Sequence, residues 1–362
     1  MRSVSADGSM AIVNGKKLIH LCSNDYLGLA QNQQVVGKAS KALKEVSQCS
    51  SRLIAGNSPR IAELETSLAL HRRTEAALVF PTGYMANLGA ITALAGKNST
   101  ILSDALNHAS IIDACKLSGA TVRIFRHNDP EHLEDLLRKT SGRTVIVTEG
   151  IFSMDGDISD LTQISKIAKE YDALTVVDDA HGDFIFGRDY SGVPSLLDAN
   201  IDVHVSSLSK GLGCFGGYVA ASAETIELLI NTSKQFIYTS ALPGHLCVAA
   251  SEAMKLTKRG NLQARLNDNI AFFRKKLVEA GFATGDSSSQ IIPILIGRED
   301  LALEFSNEVL NRGVFAQPVR YPTVKKGSAR LRLSVTAAHT KEQLSLAFDV
   351  LRTVGKRQKL VD

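Results

Sequence analysis

DVHVSSLSKGLGCFGGYVAAS (202–222) is the stretch on which the fold turns. Gly211, Gly213 and Gly216 spell G-x-G-x-x-G, the pattern of a dinucleotide-binding loop, with Lys210 just ahead of them. Such a loop needs a strand before the glycines and a helix after them, because the helix N-terminus holds the pyrophosphate. Here a β-branched run precedes, but two glycines and then YVAAS follow. Small and β-branched residues in that order predict a second strand rather than a helix start. A phosphate loop of the G-x-x-x-x-G-K-[ST] kind does not fit either, since Lys210 precedes the glycines. The stretch therefore predicts a strand, a lysine-bearing loop and a strand.

Outward from it, TVIVTEG (144–150) and LTVVDDAHG (174–182) predict further buried strands. Between them, residues 160–172 place Leu161, Ile164, Ile167, Ala168 and Tyr171 on one helical face. An earlier helix starts at NSPRIAELETSLALHRR, with Ser58 as its cap, Pro59 in its first turn and Ile61, Leu64 and Leu68 as its apolar stripe. Alternating strands and helices predict an α/β fold with a mostly parallel sheet. Ligands gather at the carboxyl ends of such strands. Polar residues cluster there: Glu149 to Asp155, Asp178 to His181, and Ser206 to Lys210. After residue 257 the pattern changes. Residues 290–297 and 330–336 predict strands each followed by a helix, the last opened by a Thr340–Gln343 capping box. The expected organisation is a short N-terminal segment (1–35), a large domain (36–257) and a smaller C-terminal α+β domain (258–362).

A net charge of +4 on 362 residues is too small and dispersed to predict nucleic acid or a membrane surface as a partner. Cys22, Cys49, Cys115, Cys214 and Cys247 are scattered, with no C-x-x-C pair, so neither a disulfide framework nor a metal site is expected. The first residues carry no apolar core of signal-peptide length, and no apolar run approaches about 20 residues, so a cytoplasmic protein is expected.

A lysine between strand-end serines and glycines suits covalent attachment of an aldehyde cofactor. Pyridoxal phosphate makes three demands: a carboxylate facing its ring nitrogen, hydroxyl and N–H donors for its phosphate, and a flat group on one ring face. Asp178 or Asp179 supplies the carboxylate, Asp178 being preferred. His181 suits the ring hydroxyl, Ser207 the phosphate, and the N–H groups of FPTGYMANLGAI (80–91) a phosphate cradle. His108 in DALNHAS (104–110) suits the ring face.

With these residues in view, the chain resembles the α-oxoamine synthases, pyridoxal-phosphate enzymes of the aspartate-aminotransferase fold (fold type I). The matching segments run in family order from LCSNDYLGLA (21–30) through FPTGYMAN, DALNHAS, VTEGIFSMDGD, VVDDAHG, SSLSKGLG and FIYTSALP to RLRLSVTAAHT (330–340). The resemblance implies that Lys210 binds the cofactor covalently and transfers protons, His108 stacks on it, and Asp178 and His181 meet its ring nitrogen and oxygen. It assigns Gly83, Tyr84, Ser153 and Ser207 to the cofactor, and Thr239 to the phosphate held by a partner subunit, so a homodimer is implied. Arg332 would bind the amino-acid carboxylate, with Asn24 and Thr323 near the substrate. Residues 314–340 resemble the members that join L-alanine to a pimeloyl thioester, carried on coenzyme A or acyl carrier protein, with loss of carbon dioxide. Glycine acetyl transfer is the nearest alternative; a catalytically silent cofactor-binding module is one of another class, which has little need of both Arg332 and Lys210. Departures from the family pattern are Ile61 in place of a common histidine, Tyr321 in place of a common proline, and a start close to SNDYLG without the usual arm helix and its arginine.

Overall fold

The computed structural model describes residues 3–362; Met1 and Arg2, at the start of the expected N-terminal segment, lie outside the described residues. The chain forms two compact units, one of residues 33–152 and 159–258, the other of residues 3–32, 153–158 and 259–362.

The first unit is built on a seven-stranded sheet. Its order is Ala76–Phe80, Gly217–Ala221, Val203–Ser207, Leu174–Asp178, Arg143–Glu149, Ser99–Asp104 and Thr121–Phe125. The last five strands run parallel, while Gly217–Ala221 is antiparallel to both its neighbours. The glycine-rich stretch is thus strand, loop, strand, as its composition predicts. Gly217 has no room for a side chain: a Cβ there would lie 2.4 Å from the Gly83 amide nitrogen. Val145, Val147, Val176, Val203, Val205 and Val219 are buried in one core with Phe80, Ile91 and Leu229. Each such side chain contributes about 1.5–3 kcal/mol, so continuous β-branched runs are what a sheet covered on both faces requires.

Strand order decides where a ligand fits. From Ser99–Asp104 the chain steps outward to Thr121–Phe125, then crosses back to Arg143–Glu149 on the other side. That reversal opens a crevice at the carboxyl ends of Ser99–Asp104 and Arg143–Glu149, the usual place for a ligand in an open α/β sheet.

Leu161–Glu170 is helical with Leu161, Ile164, Ile167 and Ala168 buried, and Asp160 caps it by accepting from Gln163 N. The helix Pro59–Arg72 buries Ile61, Leu64 and Leu68. Ser58 holds its N-cap position, but contrary to expectation its side chain makes no cap bond. Its carbonyl accepts from the N–H groups of Ile61 and Ala62, while its buried hydroxyl makes no hydrogen bond.

The second unit has two small sheets. Val4–Asp7, Met10–Val13 and Lys16–His20 form an antiparallel meander, and Val314–Phe315 adds in parallel beside Lys16–His20. Ile291–Gly297, Ala329–Ser334 and Gln317–Val319 form the other, antiparallel throughout. The last helix, Lys341–Arg357, opens with the expected capping box of Thr340 and Gln343. Ser153–Ile158 groups with this unit and interrupts the continuous span 36–257. Arg330 pairs with Asp155, Arg332 Nε donates to the Ser153 carbonyl at 2.5 Å, and Ser288 N and Ser289 Oγ donate to the Gly156 carbonyl at 3.1 and 2.8 Å.

Candidate active site

At the carboxyl ends of the parallel strands lies a cavity of ≈ 190 Å³ lined by Thr82, Gly83, Tyr84, Asn87, His108, Ser110, Glu149, Asp178, Ala180, His181, Ser207, Ser209 and Lys210. Four of the five parallel strands contribute residues at or just beyond their ends: His108 after Ser99–Asp104, Glu149 and Asp178 at adjacent strand termini, and Lys210 three residues past Ser207.

The helix Gly83–Leu94 points its N-terminus into this cavity. Thr82 caps it by accepting from Met85 N at 3.1 Å, which leaves the N–H groups of Gly83 and Tyr84 for an anion. The Ser207 hydroxyl lies 2.7 Å from that of Ser209. A Cβ on Gly83 would meet Ser207 Cβ at 3.0 Å, so the cradle of N–H groups and hydroxyls depends on glycine at that position.

Asp178 Oδ2 accepts from Asn87 Nδ2 at 2.6 Å, and Oδ1 accepts from Ala180 N at 3.0 Å. Asn87 also donates to Ser110 Oγ at 2.9 Å. His108 caps the helix Ala109–Ser118: its Nδ1 accepts from Ser110 N and lies 2.8 Å from Ser110 Oγ. Burial lowers the His108 pKa, the Asp178 charge opposes this and the Lys210 charge adds to it. A neutral imidazole on the cavity rim suits stacking against a cationic ring.

Asp179 faces the other way. It is fully buried and binds Arg72 Nη1 at 2.9 Å and Val193 N at 3.1 Å. Arg72 also donates to Tyr218 Oη at 2.8 Å and the Ser191 carbonyl at 2.7 Å, and pairs with Asp183 at 3.1 Å. His71 Nε2 lies 2.9 Å from Asp183. Burial pushes Asp179 up to about 7 against the pull of Arg72. Burial acts the same way on Asp183, but Arg72 and His71 overcome it and hold it at about 2. Gly192, at φ +87°, passes so close that a Cβ would overlap Asp179 Oδ2. This network clamps the loop that carries Asp178 and His181. Removing one partner of a buried ion pair costs about 3–5 kcal/mol. Arg72→Met is therefore expected to lose that much in chemical denaturation, and a loss below about 1 kcal/mol would show the network to be dispensable.

Gly83, Tyr84, His108, Asp178, His181, Ser207 and Lys210 are thus brought together as expected. Thr239, expected to serve a partner subunit's site rather than this one, lines a separate small cavity with Arg52, Ile61 and Val79. Ser153, Asn24, Thr323 and Arg332 belong to the second unit. There Arg332 Nη1 donates to Asn24 Oδ1 at 3.3 Å and Ser334 Oγ at 2.9 Å, while Nη2 lies 3.4 Å from Tyr26 Oη. Thr323 sits on an exposed turn, its N–H on the Arg320 carbonyl. The motif reading did not single out Asn87, Ser110 or Ser209. Asn87 had a signal: it lies one helical turn after Gly83, on the same face.

The model of the class I and II aminotransferase family matches residues 16–351. The chain belongs to this family. Within the class I and II aminotransferases it falls among the α-oxoamine synthases. It is 43% identical to 8-amino-7-oxononanoate synthase from Thermoanaerobacter pseudethanolicus, over 99% of this chain and 92% of that relative. A high-resolution structure of SPT with PLP superposes with TM-score 0.95 at 30% identity, covering 99% of this chain and 94% of that one. The 8-amino-7-oxononanoate synthase from Francisella tularensis gives TM-score 0.80 at 27% identity, over 94% and 99%. The aspartate-aminotransferase fold, a large mostly parallel sheet with a smaller α+β unit, is therefore the fold of this member of the family.

Proposed function

We propose that the protein is a pyridoxal-phosphate-dependent acyltransferase that condenses L-alanine with a pimeloyl thioester, with loss of carbon dioxide, to give 8-amino-7-oxononanoate in biotin synthesis. The observation that carries this reading is the single cavity uniting Lys210, Asp178, His108 and the Gly83 helix start. The relatives supply the substrates: those at about 40% identity across nearly the whole chain are 8-amino-7-oxononanoate synthases.

The residues fit the cofactor. Gly83 and Tyr84 N–H groups with the Ser207 and Ser209 hydroxyls would hold its phosphate, Asp178 its ring nitrogen, His181 its ring oxygen, His108 its face and Lys210 its aldehyde carbon. When bound, pyridoxal phosphate supplies a ring that takes up the electrons left at the substrate Cα once a proton departs. Asp178, held in place by Asn87 and Ala180, would set a carboxylate opposite that ring's nitrogen. Lys210, once the substrate amine has taken its place, carries the proton to and from Cα. Arg332, on the second unit, offers a planar guanidinium for the substrate carboxylate. The carrier of the acyl group is coenzyme A or acyl carrier protein, and the enzyme works as a cytoplasmic homodimer in which Thr239 serves the partner's phosphate site.

The test is an absorbance titration of the purified, cofactor-loaded protein with L-alanine, glycine and L-serine. The visible band is expected to respond to L-alanine at the lowest concentration. A response to glycine alone would reassign the substrate, and no chromophore after adding pyridoxal phosphate would end the cofactor reading.

A further inference from the structure

Glu149 has no part in the roles above, yet it lines the same cavity. It closes the strand Arg143–Glu149 and stands in register with Asp178 on the next parallel strand. Paired residues on parallel strands are about 4.8 Å apart and project from the same face, so two carboxyl groups lie side by side. Glu149 is 2% exposed. Its Oε1 is buried without a hydrogen-bond partner, while the His108 backbone N–H donates to the carboxyl group. Asp178, by contrast, receives Asn87 and Ala180.

We propose that Glu149 is a positioning residue of the cofactor pocket, working as an uncharged carboxylic acid whose O–H serves the pocket beside Asp178. The proposal rests on the reading that this pocket holds pyridoxal phosphate. A carboxylate beside a fully buried carboxyl disfavours the charged form of the buried one, and of this pair it is Glu149 that is buried and has the unpaired oxygen. Asp178 pairs with Glu149 from the next strand, Lys210 acts on it from its loop and Asp104, at the end of the other flanking strand, acts on it more weakly, with His108 and His181 lining the same cavity. Burial first, and the Asp178 charge second, push the Glu149 pKa well above the ordinary value, against the smaller pull of Lys210. An oxygen with no partner is then an O–H or acceptor reserved for something that enters the cavity.

The sign of the pH effect follows. A carboxyl with a raised folded pKa contributes its full stability below the unfolded value near 4.5 and loses it as pH rises toward the folded value. Glu149→Gln keeps the shape and a neutral donor but cannot ionise. Its stability relative to wild type is therefore expected to grow as pH rises between about 5 and 8.

The experiment compares wild type, Glu149→Gln and Glu149→Ala, stripped of cofactor. Pyridoxal phosphate is titrated into each by absorbance, and the stripped proteins are melted across pH. Glu149→Gln is expected to bind within about threefold of wild type and Glu149→Ala at least about tenfold more weakly. Equal loss in both variants would show that a charged carboxylate is required, and unchanged binding in Glu149→Ala would remove the role; either result overturns the proposal. If Glu149→Ala does not fold, the stability difference between Glu149→Gln and wild type decides, a pH-independent difference counting against. Wild type that takes up no pyridoxal phosphate would overturn the functional reading itself, and would be seen before any variant is compared.

Discussion

Lys210→Ala is expected to lose turnover by at least about 10³-fold and to hold no cofactor covalently after borohydride reduction. Lys210 stands three residues beyond the strand Val203–Ser207, in the loop that returns as Gly217–Ala221. It is the lysine among the residues lining the cavity, and the other lining groups are hydroxyls, carboxyls, amides and imidazoles. None of these replaces a primary amine in condensing with an aldehyde and then moving a proton at the adjacent carbon. The fold should survive the change, since Lys210 is half-buried and belongs to no core cluster. Mass spectrometry of the reduced protein reads the covalent link, and steady-state rates with and without added methylamine read the proton transfer. Turnover within tenfold of wild type without added amine would remove Lys210 from the chemistry.

Asp178→Asn and Asp179→Asn should separate catalysis from stability, although the two residues are neighbours in sequence. Asp178 faces the cavity, and losing its charge removes one preorganised electrostatic partner, an effect of about 10²–10³ in kcat. Its two donors tolerate an amide poorly, but the site is open to the cavity, so melting should change little. Asp179 has no cavity contact and serves Arg72. Its replacement leaves Arg72 short of one buried partner, so the larger loss should appear in thermal stability. A kcat loss below twofold in Asp178→Asn would move the ring-nitrogen role elsewhere.

The large sheet was legible in the sequence because β-branched runs such as TVIV and DVHV have no other use than a doubly covered strand. The candidate site was legible because the same strands end in polar residues. What escaped the sequence depends on distant partners. Arg72 ends a basic helix terminus and looks solvated, yet it is buried because Asp179, Asp183 and Tyr218 meet it from over a hundred residues away. Ser153–Ile158 follows a strand of the first unit, and partners far along the chain draw it to the second: Arg330, Arg332, and Ser288 and Ser289, which donate to the Gly156 carbonyl. Glu149 was visible at a strand end, but its neighbour Asp178 comes from a different strand, and register between strands is not written in either one alone.

The pairing of Lys16–His20 with Val314–Phe315 also sets a timetable. During synthesis the N-terminal meander emerges first, with the outer edge of its third strand bare. At about 5–20 residues per second, its partner leaves the ribosome roughly 15 to 60 s later. Through that interval the nascent chain exposes an open β-edge, the kind of surface a chaperone shields, until Val314–Phe315 arrives to cover it.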